Sequence, residues 1–127
     1  MKSNIINMKV SPVEFTLANK TYPLIFDMNV VAEIESEYGN LEEWLSKIQE
    51  SSIKTAISTL AILINEAVYI HNDESSDKWE PVDCKKIGRL MNMRDIETVL
   101  NVIMETFKAG TPQSDDTEEN SKNAVTE

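Results

Sequence analysis

The sequence predicts an α+β fold that is mainly α, with an N-terminal β-hairpin followed by about five helices packed in one domain. Apolar and polar residues alternate between residues 13 and 26, which is typical of strands. From residue 28 onwards apolar residues recur every three or four positions, which is typical of amphipathic helices. The chain has 127 residues, 41% of them hydrophobic, so we expect one core of ordinary domain size.

The predicted hairpin spans residues 13–26. The register that places every apolar side chain on one face pairs Leu17 with Tyr22, Phe15 with Leu24 and Val13 with Phe26. In this register a two-residue loop would put Pro23 in a hydrogen-bonded pair, whereas a four-residue loop puts it in a non-bonded pair that tolerates its missing amide. We therefore expect a four-residue loop, Ala18 to Thr21.

Five helices are predicted, at residues 28–38, 41–50, 53–70, 83–91 and 93–108. Each is preceded by a residue that can cap its N-terminus, and these residues are Asp27, Asn40, Ser52, Asp83 and Asn92. Gly39 ends the first helix as a C′ residue. Residues 71–78, which follow the third helix, are polar and predict a loop.

The third predicted helix is apolar on more than one side. One stripe contains Ile53, Ala56, Ile57, Leu60, Ala61, Ile64, Ala67 and Val68, and Ile62 and Tyr69 fall on another face. Its longest apolar run, residues 56–70, contains four polar residues and is shorter than the roughly 20 residues that a membrane span needs. A core helix is predicted, and no membrane association.

The two ends of the chain differ from its middle. Residues 1–11 are polar and unpatterned, which predicts a flexible N-terminus before a single domain at residues 12–109. Residues 110–127 contain five acids, one Lys and almost no aliphatic residues, which is typical of a disordered acidic tail.

The overall charge restricts the kinds of partner. A net charge of −10 opposes binding to nucleic acid or to an anionic membrane, and favours basic protein partners. The single cysteine, Cys84, excludes an internal disulfide, and the N-terminal residues lack the apolar run of a signal peptide. We expect a cytoplasmic protein.

No residue pattern predicts catalysis, a cofactor or a metal. The polar residues His71, Asp73, Glu74 and Asp77 include metal-ligand types, but they lack the alternating ligands and the fixed glycine of a calcium loop. A solvated loop, with His71 near the negative end of a helix dipole, is the simpler interpretation. Carboxylate pairs such as Glu33 and Glu37 are expected to be solvated, and no glycine-rich loop is present to bind a phosphate. The sequence therefore predicts a protein that is not an enzyme.

Two groups of residues are candidates for binding another protein. Ile62 and Tyr69 offer apolar surface on the second face of the third helix, and the only basic cluster consists of Lys85, Lys86, Arg89 and Arg94. The cluster suits an acidic partner or the acidic tail of this chain, although an ordinary helix surface is the simpler interpretation. Methionines such as Met28, Met91, Met93 and Met104 fit either an adaptable interaction surface or core filling.

Residues 15–45, FTLANKTYPLIFDMNVVAEIESEYGNLEEWL, resemble the tail assembly chaperone family of long-tailed phages, prophages and gene transfer agents. The pattern is a hairpin, then an Ala-Glu-Ile-Glu helix ending in an aromatic residue and Gly, then a second helix. The residues that match it are Tyr22, Leu24, Phe26, Asn29, Ala32, Glu33, Ile34, Glu35, Tyr38 and Gly39. The resemblance continues more loosely through the closing helices, and Ala18-Asn19 replaces the family's frequent Gly-Gly turn.

The resemblance implies a non-catalytic chaperone in the bacterial host cytoplasm. Such a protein would bind the phage tape measure protein, keep its apolar helices soluble and help to recruit tail tube protein subunits, with self-association as a further possibility. Members of the family are often made in two lengths through a ribosomal frameshift, and an extension would begin after Gly110. The alternatives are a minor structural component of a phage tail and a generic protein-interaction domain.

Overall fold

The computed structural model describes residues 11–111. In these residues a two-stranded antiparallel hairpin precedes five α-helices, which confirms the α+β, mainly α prediction. The elements are β1 Val13–Leu17, β2 Lys20–Leu24, α1 Met28–Tyr38, α2 Leu41–Gln49, α3 Ile53–Glu74, α4 Cys84–Leu90 and, after a 3-10 turn at Met93–Asp95, α5 Ile96–Gly110. The predicted flexible N-terminus and acidic tail lie outside the described residues, apart from Ser11, Gly110 and Thr111.

The hairpin loop has two residues, so the prediction of a four-residue loop is wrong. Ala18 and Asn19 form the loop with φ angles of +49° and +71°, as a type I′ turn requires. This turn matches the right-handed twist of the strands, and the matching twist outweighs the strain of a positive φ at Ala18.

The register is correspondingly shifted by two residues from the predicted one. Leu17 lies opposite Lys20, Phe15 opposite Tyr22 and Val13 opposite Leu24. The predicted apolar face is retained, because a two-residue shift keeps each side chain on its side of the sheet. Pro23 now faces Glu14. The pair that closes the two-residue loop, Leu17 and Lys20, is hydrogen-bonded, and non-bonded and bonded pairs alternate from there along the strands. Glu14 and Pro23 therefore form a non-bonded pair, so the missing amide of Pro23 costs no hydrogen bond between the strands.

The helix boundaries follow the predicted capping residues. Side-chain oxygens accept backbone N–H bonds at four helix N-termini: Asp27 from Val30 at 3.0 Å, Asn40 from Glu43 at 2.8 Å, Ser52 from Thr55 at 3.2 Å and Asp83 from Lys86 at 2.7 Å. At the 3-10 turn before α5, the Asp95 carboxylate accepts a hydrogen bond from the backbone N–H of Asn92 at 2.8 Å. Gly39 ends α1 with φ +93°.

Helix α3 is the centre of the fold and contacts β2, α1, α2, α4 and α5. Trp44 of α2 is fully buried against it and donates its indole N–H to Thr59 Oγ1 at 2.7 Å. The rings of Phe26, Trp44 and Phe107 form one cluster with centroids 5.1–5.6 Å apart. By length and composition α3 is also the one helix within residues 11–111 that is long and apolar enough to cross a membrane, and 56% of its most apolar window is buried inside the protein.

Helix α3 continues to Glu74, four residues beyond the predicted end, so residues 71–74 are helical rather than part of a loop. The extension is anchored by the segment that follows. Asn72 binds both backbone polar groups of Trp79, accepting its N–H at 2.7 Å and donating to its C=O at 3.0 Å. Asn65 does the same for Val82, at 2.8 Å for each bond. The two asparagines hold the residues between α3 and α4 against α3.

Candidate binding groove between α1 and α3

A groove of about 660 Å³ lies between α1 and α3. Helix α1 lines it with Asn29, Val30, Ala32, Glu33, Ser36 and Glu37, and α3 lines it with Ser58, Ala61, Ile62, Asn65, Glu66, Tyr69, Ile70 and Asp73. Cys84, the first residue of α4, also contributes. These residues recur at helical spacing on the two facing helices, so the groove is a direct consequence of how α1 packs on α3.

The two apolar binding candidates predicted on α3 lie in this groove. Ile62 is partly buried, and Tyr69 exposes 53% of its surface. Their seven-residue separation places them two helical turns apart on one side of α3. Beneath them, Val30 and Ala61 form a buried apolar floor. The structure therefore assembles an accessible apolar strip from residues of both helices.

Acidic side chains surround the apolar strip. Glu33 and Glu37 of α1 and Glu66 and Asp73 of α3 line the groove, whereas no Lys, Arg or His within residues 11–111 does. A concave site with low-dielectric walls and one sign of charge concentrates the electric field. The groove thus combines apolar contact area with a negative potential. Glu33 and Glu37, expected as ordinary solvated residues, both belong to it.

Glu66 is the one acid that is buried in the groove, with 9% of its surface exposed. Its Oε2 accepts a hydrogen bond from Asn29 Nδ2 at 3.1 Å. Burial raises the pKa of Glu66 from its ordinary 4.5 to about 7. A hydrogen bond with the Asp27 carboxylate and the negative charges of Asp27 and Asp73 also raise this pKa, whereas the hydrogen bond from Asn29 lowers it. Because two carboxylates hydrogen-bond only when one carries a proton, the interaction with Asp27 favours the protonated form of Glu66.

Sequence reasoning did not identify Glu66 as a site residue. A signal was present, since Glu66 interrupts the longest apolar run of the chain and falls on the buried side of α3. Its partners Asp27 and Asn29 are 37 or more positions away in the sequence. Only the packing of α1 on α3 brings the three together.

Cys84 lies at the groove with a thiol that is not activated. Partial burial, and then the negative charges of Glu37 and Asp83, raise the pKa of this thiol. The thiolate is the nucleophilic form of cysteine. Cys84 is therefore a neutral side chain at neutral pH and contributes apolar contact area.

The basic candidates do not lie in the groove. Lys85, Lys86 and Arg89 are exposed on α4, and Arg94 is exposed in the 3-10 turn. Lys86 instead lines a smaller cleft of about 320 Å³ around Trp79. The six predicted binding residues are therefore split between two or more surfaces, and only Ile62 and Tyr69 share one.

His71, considered above as a metal ligand, packs against an aromatic ring. Its imidazole stacks on Trp79 with centroids 3.6 Å apart and an interplanar angle of 8°, and its Nε2 lies 2.7 Å from the backbone oxygen of Asp77. Lys20 Nζ is 3.9 Å from the Trp79 centroid, and Tyr22 meets the same ring edge-on. In residues 11–111 no three His, Cys, Asp or Glu side chains are grouped as a metal site. The His71 ring is thus engaged in structural contacts.

No protein-family model, curated protein sequence or solved structure matches this chain.

Proposed function

We propose that this protein is a non-catalytic tail assembly chaperone of a phage or prophage, which binds the tape measure protein in the host cytoplasm, keeps it soluble and helps to recruit tail tube subunits. The observation that carries the proposal is the groove between α1 and α3, where Ile62 and Tyr69 leave apolar surface accessible inside an acidic rim. Apolar surface that is concave and rimmed by polar residues is typical of protein-binding sites.

The sequence resemblance supports the same proposal, and the residues that carry it include one wall of the groove. Residues 15–45 comprise the last three residues of β1, all of β2 and α1, and the first five residues of α2. The Ala-Glu-Ile-Glu stretch that contributes to the resemblance places Ala32 and Glu33 on the groove side of α1, while Ile34 is fully buried. The Ala-Glu-Ile-Glu stretch therefore contributes to both the hydrophobic core and the groove lining.

The energetics of the groove suit a chaperone that must later release its partner. Burying one large apolar side chain gains roughly 1.5–3 kcal/mol, and a groove of about 660 Å³ holds only a few such side chains. After the entropy cost of association, one copy binds weakly. Several copies along one long partner would hold it through avidity and would still exchange. The excess of acidic residues keeps such a complex soluble.

Coexpression with the tape measure protein of the same phage or prophage tests the proposal. We expect the tape measure protein to move from the insoluble to the soluble fraction and to copurify with this chain. A tape measure protein that stays insoluble would contradict the proposal. Mass spectrometry of purified tail particles separates a chaperone, which is depleted from finished particles, from a structural component, which is present in stoichiometric amount.

A further inference from the structure

We propose that the groove between α1 and α3 binds a basic amphipathic α-helix of the partner, whose apolar side chains contact Ile62 and Tyr69 and whose Lys or Arg side chain pairs with Glu66. This inference rests on the proposed function, because it specifies the chemistry of the segment that the chaperone binds. It commits to one occupant, a helix with an apolar stripe flanked by Lys or Arg.

The walls of the groove favour a helix over an extended strand. Both walls are α-helices, so their backbone hydrogen-bonding groups are already paired within α1 and α3. No strand within residues 11–111 lines the groove, so a partner strand would find no sheet edge there to extend by backbone bonds. Ile62 and Tyr69 are about 10 Å apart along α3, from seven residues at about 1.5 Å each. Apolar side chains at positions i, i+3 or i+4, and i+7 of a docked helix have the same spacing.

The charges of the groove favour a basic helix. The groove has four acids, and among the described residues no cation lines it. A helix with acidic flanks would place like charges together in a partly desolvated site, which opposes binding. Lys and Arg also have long aliphatic stems that cover apolar surface while their charged ends reach acidic groups.

Glu66 provides the specific contact. Glu66 lines the groove and is nine-tenths buried as a residue, with Asp27 and Asn29 on the α1 side and Asp73 on α3 itself. Asp27 also accepts the Val30 amide as the N-cap of α1. In the free protein a proton on Glu66 relieves the repulsion between these acids. A bound ammonium or guanidinium group would relieve the same repulsion and displace the proton.

Proton release is the consequence that distinguishes this contact from general charge attraction. Because the pKa of free Glu66 is raised to about 7, a nearby cation lowers it and Glu66 loses its proton on binding. Binding should therefore release about 0.9 proton per complex at pH 6 and about half a proton at pH 7. Affinity should rise with pH up to about pH 7 and change little above it.

The test uses the full-length protein and two synthetic helical peptides with the same apolar stripe, one flanked by Lys and one by Glu. Titration calorimetry at pH 6.5, in two buffers that differ in ionisation enthalpy, gives both affinity and the number of protons released. We expect the Lys peptide to bind at least tenfold more tightly than the Glu peptide, with proton release. Glu66→Gln should abolish the release and weaken binding severalfold, whereas Glu35→Gln, on α1 but outside the groove lining, should leave both unchanged.

Equal affinities for the two peptides would overturn the inference, as would proton release that persists in Glu66→Gln. The result is independent of the coexpression experiment. If the tape measure protein is solubilised but the peptides are not distinguished, this inference fails and the proposed function stands. If the Lys peptide binds as expected but the tape measure protein stays insoluble, the proposed function fails and the groove retains its specificity for a basic helix.

Discussion

Asn65 of α3 binds Val82 through both of the backbone polar groups of that residue, with two hydrogen bonds of 2.8 Å. Asn72, two turns further along α3, repeats the arrangement with Trp79. Seven helical residues rise about 10.5 Å and three extended residues span about 10 Å. The two spacings agree, so one face of α3 can hold the segment that leads to α4 at both points.

Replacement of Asn65 by Ala should destabilise the protein by about 2–4 kcal/mol. The variant loses two hydrogen bonds and leaves the amide and carbonyl groups of Val82, a buried residue, without these partners. Urea unfolding followed by circular dichroism measures the change. Asn101→Ala, at an exposed position of α5, is the matched control and should change the free energy of unfolding by less than about 0.5 kcal/mol. Equal effects of the two substitutions would contradict the role given to Asn65.

The two glycines within helices should respond to alanine with opposite signs. At Gly110 a Cβ would lie 2.5 Å from the backbone oxygen of Phe26 and 2.7 Å from its Cβ, so the end of α5 would have to move away from Phe26. At Gly88 the nearest atom is Ile57 Cδ1 at 3.8 Å, an ordinary contact. Gly110→Ala should cost about 1–3 kcal/mol, and Gly88→Ala should stabilise the protein by about 0.5–1 kcal/mol through helix propensity. Thermal unfolding of both variants gives the signs, and a stabilising Gly110→Ala would contradict the packing of α5 on Phe26.

Glu66 should make the protein less stable as the pH rises through neutrality. Its folded pKa of about 7 exceeds its ordinary 4.5, so in this interval the folded state binds more protons than the unfolded state. Stability from this group is therefore full below about pH 4.5 and is lost as the pH rises from there through 7, by about 3 kcal/mol in total at about 1.4 kcal/mol per pKa unit. Urea unfolding at pH 5, 6, 7 and 8 measures the dependence.

Glu66→Gln should remove this dependence and should be more stable than the unsubstituted protein at pH 8, because a neutral amide can take the place of the protonated carboxyl. Glu35→Gln, an exposed acid on α1, accounts for the general effect of removing one negative charge. If the difference between the two variants is the same at pH 5 and pH 8, Glu66 titrates as an ordinary surface carboxylate.

Local sequence signals predict the order of elements well, and their limits have physical causes. Caps such as Asp27, Asn40 and Gly39 act within one turn, so they could be identified directly. The pattern of apolar and polar residues predicts the wrong length for the loop at Ala18-Asn19, because two registers that differ by two residues place the same side chains on each face of the hairpin. The C-terminal extension of α3 depends on bonds from Asn72 to a residue seven positions away. Of the predicted binding residues, Ile62 and Tyr69 line the groove. Its acidic rim and Glu66 could not be predicted, because they depend on how α1 packs on α3.

Tyr69 should be needed for partner binding but not for folding. Its side chain is 53% exposed and lines the groove, so Tyr69→Asp removes apolar contact area and adds a fifth acid to the groove lining without disturbing the core. We expect at least a tenfold loss of affinity for the Lys-flanked peptide, measured by calorimetry, with the free energy of unfolding changed by less than about 0.5 kcal/mol.

The matched control for Tyr69→Asp is Met93→Asp, because Met93 is a large apolar residue that is 78% exposed and does not line the groove. Both substitutions add one negative charge to the same protein, so a general electrostatic effect on a basic peptide would appear in both. If binding is lost in Tyr69→Asp alone, the contact is at the groove. If both variants bind the basic peptide equally well, the Tyr69 side chain contributes nothing to binding, the attraction comes from the overall negative charge of the protein, and the partner does not depend on the surface between α1 and α3.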